Sequence, residues 1–325
     1  MTPKDILSEP VSENGEPIPF VGSYERQNLK TLNFSAPSII KERTIVDVQS
    51  LDITIGMDEL LIIEYTDAYS SSSPPNINVL VSSDGHRSGK VMVIGTIPPD
   101  AYFEVSGTRA GIAGLTRYDQ RLLTGCLTFV DANFDGAKIV SKLGACEDSV
   151  NFVRSTGTLT ELIVERPLAD AVDADFSDLR FDRIQISKSD NDCIDLSAGT
   201  YRIKEFNVSR CADKGLSVGE KAVVFIDDFV AKDASIAAAV KDGSYLSIRS
   251  ADIEAVQTCF AAYRKKQEFG GARLSLVADM PQECGPDKNL IQPGSAMTLR
   301  ARWHWDYDQS ENSVASEQLV SREEP

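Results

Sequence analysis

Residues 189–199 read SDNDCIDLSAG. Ile194 and Leu196 alternate with polar neighbours as on a half-buried strand, while Asp190, Asp192 and Asp195 crowd into the same short stretch. A step of 22 residues from Ile194 decides what this means: it meets Val150, Val172, Leu216, Ala238 and Phe260. The same step from Leu196 meets Phe152, Ala174, Val218, Val240 and Ala262. Both columns are apolar throughout. A second strand precedes each coil at Leu162/Val164, Ile184/Ile186, Phe206/Val208 and Phe229/Val230, and Gly157, Gly199, Gly219 and Gly243 punctuate the turns. Short strands repeated at this step without helical segments predict an all-β chain wound as a parallel β-solenoid. In such a fold each coil buries its apolar face only by stacking on its neighbours.

The pattern predicts a solenoid over residues 36–300, most regular over 147–265. Residues 1–35 form a polar leader expected to be partly disordered, and 301–325 a strand followed by a polar tail. That strand puts Trp303, Trp305 and Tyr307 on one face, which suits packing against the solenoid or stacking on sugar rings. His86 falls in a turn and is expected to be solvated. Arg264, Lys265 and Lys266 suit either a solvated turn or an anionic polymer.

Charged residues follow the same step. One column runs Asp148, Asp170, Asp192, Lys214; a second runs Asn151, Asp173, Asp195, Ser217; a basic column runs Arg166, Lys188, Arg210, Lys232. Two ionised carboxylates one coil apart repel by roughly 3 kcal/mol at an effective dielectric near 20. Neighbouring cations, a bound Ca²⁺ or a raised carboxyl pKa would each offset this.

The formal net charge of −16 argues against nucleic acid, which calls for a basic footprint. No apolar run is long enough for a membrane-spanning helix. With two histidines, His86 and His304, a histidine-bearing triad is not expected. The six cysteines lack the paired spacing of a zinc site. Cys193 and Cys259 share a column three coils apart, too far to bridge. Cys126 and Cys146 could pair with each other or with a neighbour. The first residues lack an apolar stretch, so an intracellular chain and a trimmed exported one both stay open, as does oligomerisation.

The coils ADAVDADFS, DNDCIDLS and ADKGLSVGE resemble consecutive coils of right-handed parallel β-helix enzymes that act on carbohydrate. The resemblance to calcium-dependent, lysine-base pectate lyases implies Ca²⁺ held by Asp170, Asp192 and Asp195, with Asn191 at the fourth ligand position and Asp173 beside them. The family's base lysine falls at Ser217, so Lys214 stands in as base, with Arg210 or Lys188 steadying the developing charge. The same coils resemble polygalacturonases through Asp170 and Asp192, with Lys214 and Asn191 replacing a histidine and an aspartate. Residues 78–278 also resemble the β-helix region of bacterial exported proteins, often attached to spore-coat-kinase-like domains. These resemblances imply an anionic polysaccharide or surface glycan as partner, and an extracellular or cell-surface location, with a cytoplasmic one as the alternative. Three functions follow: a Ca²⁺-assisted lyase, a non-catalytic glycan- or protein-binding module, or a glycoside hydrolase.

Overall fold

The computed structural model describes residues 41–84, 87–108 and 123–300. The leader, His86 and the Trp303–Trp305–Tyr307 stripe lie outside the described residues. The strands are all parallel and wind into a solenoid of about ten turns. Three early turns carry two strands each: β1 (Lys41–Val46) and β2 (Ser50–Ile55), β3 (Glu59–Tyr65) and β4 (Asn76–Val81), β5 (Lys90–Thr96) and β6 (Tyr102–Gly107). From β7 (Gly125–Lys142) the coils are nearly continuous strand: β8 (Asp148–Val153) with β9 (Thr156–Glu165), then β10 (Asp170–Ser189), β11 (Ile194–Gly219), β12 (Val223–Lys241) and β13 (Tyr245–Tyr263). β14 (Arg273–Asp279), β15 (Asn289–Ile291) and β16 (Ala296–Arg300) finish it.

Each regular coil contributes to three sheets, labelled A to C in the order the chain meets them. Sheet A stacks Val150 on Val172 and Val172 on Ile194, then Leu216 on Ala238 and Ala238 on Phe260. All six are fully buried, so the step read from the quoted stretch is the step of the fold. Aromatic residues stack likewise inside: Phe129 on Phe152 with ring centroids 5.4 Å apart, and Phe206 on Phe229 at 5.2 Å.

Two expected positions shift by one residue. Phe229 lies on Phe206 as read, but the next inward residue is Ala231, on Val208, and not Val230. Lys232 stacks on Ser209 and not on Arg210. The cause is one added residue at a bend, where Lys221 joins Glu220 in the left-handed region (φ 66° and 56°), which lengthens this coil in sheets B and C. A compensating register shift between Cys211 and Lys214 restores the 22-residue step in sheet A.

The basic column marks a corner. Arg166, Lys188 and Arg210 have φ of 54°, 63° and 57°, and Asp233 continues the series at 59°. Left-handed backbone costs a non-glycine residue roughly 1–2 kcal/mol. Here the strands entering and leaving each corner impose it. At Gly199 (φ 118°) even this is unavailable, because a Cβ would stand 2.1 Å from the Ser177 carbonyl oxygen one coil below.

All six cysteines pair, as Cys126–Cys146, Cys193–Cys211 and Cys259–Cys284. Cys126, Cys193 and Cys259 occupy one column at the start of sheet A, so the three bridges staple the same corner. Each closes a loop of 18 to 25 residues, worth about 3 kcal/mol in a chain-entropy account.

Gly199→Ala is expected to destabilise the fold by roughly 3 kcal/mol or more, whereas Arg210→Gly should leave stability unchanged or raise it by about 1 kcal/mol. Denaturant melts of the two variants check this opposition of sign.

Candidate functional site

The outward face of sheet A carries the charges singled out by the sequence. Successive coils place Thr128, Asn151, Asp173, Asp195, Ser217 and Ala239 in one outward column. Asp148, Asp170, Asp192 and Lys214 form the column three residues earlier. Outward positions on a solenoid wall are ordinarily solvated. Here Asp148, Asn151 and Asp192 are 2%, 3% and 5% exposed, and Ser217 is fully buried.

The earlier column is a ladder of side chains capping backbone. The Asp170 carboxylate accepts the N–H of Asp192 (2.9 Å) and the side-chain amide of Asn191 (2.6 Å). The Asp192 carboxylate accepts the N–H of Lys214 (2.9 Å) and its ammonium at 3.2 Å. The Lys214 ammonium also pairs with Asp213. Asp170, Asn191, Asp192 and Lys214 are therefore brought together as the sequence suggested. Asp173 and Asp195 stack on each other in the neighbouring column. Arg210 and Lys188 sit on the corner and form no ion pair among the described residues. Nor among those residues do three or more carboxylate, histidine or cysteine side chains converge as a metal cluster.

Burial sets the electrostatics. It pushes the Asp170 carboxyl up to about 7, helped by the charges of Asp192 and Asp148, against the Asp192 N–H and Asn191. Burial also lifts Asp173 well above the ordinary carboxylate range, together with Asp148, Asp175, Asp195 and Asp170. Asp192 is raised by burial, with Lys214 opposing. Desolvation works to lower Lys214, but Asp213 and Asp192 outweigh it and hold the ammonium charged. An ammonium held this way serves Asp192 and Asp213 as their counter-ion.

Two participants escaped the sequence reading. Lys241, 7% exposed, reaches back two coils to Asp195 at 3.3 Å. Gly219 opens the path, since a Cβ there would meet Lys241 Cε at 2.9 Å. Tyr263, next along the same column, has its hydroxyl pKa raised by burial while Lys241 and Lys214 pull it down. A glycine one coil before a lysine was the available signal. The run Arg264–Lys266 turns out to be a cap: the N–H groups of Lys265 and Lys266 both bind the Asp242 carboxylate at 2.7 Å.

The later column holds the most informative atoms. Among the described residues, Thr128 Oγ1, Asn151 Oδ1, Asp195 Oδ1 and Ser217 Oγ are buried and find no hydrogen-bond partner. Buried polar atoms left unpaired cost about 1–3 kcal/mol each and are rare in native proteins. Four such atoms share this single column.

No family model, curated protein or solved structure matches this chain.

Two outcomes test the electrostatics. A carboxyl with a raised folded pKa stabilises the fold fully below its unfolded pKa and loses that contribution as pH rises through the folded value. Stability should therefore fall between pH 3.8 and about 7 as Asp170 titrates, and Asp173→Asn should flatten the slope and raise the melting temperature at the alkaline end. Lys241→Met, which leaves the half-buried Asp195 carboxylate without its ammonium partner, should cost about 1–3 kcal/mol. Asp195→Asn in the same chain should recover much of it, measured by a double-mutant cycle.

Proposed function

We propose that the protein is a non-catalytic recognition module of the cell surface or exterior, which binds a glycan along the outward face of sheet A. The observation that carries this reading is the column of unpartnered buried oxygens at Thr128, Asn151, Asp195 and Ser217. It leaves hydrogen-bonding valence open on four of the five rungs from Thr128 to Ser217, just beneath the surface of the wall, so a hydroxyl-rich chain reaches it as those side chains turn outward, and an apolar ligand gains nothing. Lys214, held charged by Asp192 and Asp213, supports binding over turnover. Complete pairing of the six cysteines supports an oxidising compartment.

A calcium-assisted lyase of the pectate-lyase-like kind is the competing reading, and the stacked Asp170 and Asp192 favour it because a hard cation would relieve their repulsion. Against it, both carboxylates already cap the next coil's backbone, and Lys214 takes the place beside Asp192. A polygalacturonase-like hydrolase would use Asp170, lifted to about 7, as its acid.

Calorimetric titration with oligogalacturonate, oligoalginate and chitooligosaccharide, each with and without calcium, separates these readings. Saturable binding is expected, with no unsaturated product and no new reducing ends. Thr128→Val and Ser217→Ala should each weaken binding roughly tenfold while leaving the free protein as stable or more so, because each removes an unpaired buried hydroxyl. Product formation on any substrate refutes the non-catalytic reading, and failure to bind any saccharide refutes glycan recognition.

A further inference from the structure

The three sheets stop at different heights at the C-terminal end. Sheet A continues from β13 into β15, and sheet B into β14 and β16. Among the described residues, no strand pairs with the sheet C segment of β13, residues 250–256, on that side. The chain crosses there as a strap, residues 278–284. It is fixed by the Cys259–Cys284 bridge, by the Met280 N–H on the Arg300 carbonyl (2.8 Å), and by the Ala255 N–H on the Glu283 carboxylate (3.0 Å).

Between strap and edge lies a cavity of about 480 Å³, within the size range of ligand-binding clefts. Ala251 and Met280, both packed against the core, give it an apolar floor. In the two preceding coils Phe206 and Phe229 fill the position that Ala251 occupies here. Asp252, Glu254 and Glu283 form an exposed acidic rim. Lys232 pairs with Glu254 at 3.0 Å and offsets part of that charge.

We infer that this notch receives an extended segment of a partner polypeptide, added as a further strand on sheet C, with alternating apolar and basic side chains. Unpaired strand edges are templates for such addition, where main-chain hydrogen bonds give affinity and alternate side chains give specificity. Apolar side chains would reach Ala251 and Met280, and basic ones the rim. Charge selects the occupant: a second copy of this chain, at −16, meets repulsion there.

A fluorescein-labelled heptapeptide of alternating lysine and valine serves as the probe, followed by anisotropy against the full chain. Two control peptides replace lysine by glutamate or methylate alternate backbone nitrogens. Saturable binding is expected for the lysine peptide alone. Asp252→Lys, at an exposed position, should weaken it roughly tenfold. Equal binding of the methylated peptide would show surface electrostatics without strand addition and overturn the inference. Equal binding of the glutamate peptide, or no binding of any, does the same. If the probe binds only the variant W303S/W305S, the chain's own C-terminal residues fill the notch and the partner assignment falls.

Discussion

In-register parallel stacking is the constraint on which the rest depends. Once coils lie about 4.8 Å apart, every side chain has its equivalent from the next coil as nearest neighbour across the sheet. Apolar columns then form a continuous core without further instruction. Charged columns acquire a problem that each wall must solve locally. On sheet C the solution is alternation: Lys138, Glu161, Arg183 and Glu205 follow one another in register, with ion pairs at 3.8, 3.9 and 3.0 Å. On sheet A the solution is different, and that difference makes the wall chemically distinctive.

There the aspartates are spent on the coil above. A carboxylate that accepts the N–H of its successor's position converts part of the repulsion into a cap, while burial first and the remaining repulsion second raise the pKa values of Asp170, Asp173 and Asp192. Lys214 and Lys241 close the acidic run at its C-terminal end, each reaching back toward an aspartate. Between capped ladder and buried lysine stands the column with unanswered oxygens. The site is thus a strip of wall whose polar valence is incomplete.

Much of this was legible in the chain because the repeat converts sequence distance into spatial distance. The core columns and the meeting of Asp170, Asn191, Asp192 and Lys214 all follow from one step length. What failed to be legible depends on bends. The single added residue at Lys221 is invisible to a fixed period, so Lys232 and Val230 were each read one place off. The basic column looked like a counter-charge to the acids, yet Arg166, Lys188 and Arg210 are corner residues in left-handed backbone. Lys241 was missed because its partner lies two coils away, a reach that needs the absent side chain of Gly219. Burial of an outward face cannot be read from alternation at all.

The placement of the disulfides carries a consequence for how the molecule would withstand cleavage. Cys126–Cys146, Cys193–Cys211 and Cys259–Cys284 each enclose a single circuit of chain and share one seam. A protease cutting inside any of these circuits severs the backbone yet releases no fragment, since the sulfur bridge still spans the nick. Hydrogen-bonded neighbours above and below hold the cut ends in place. Damage at those points is thereby stored silently until a reductant arrives.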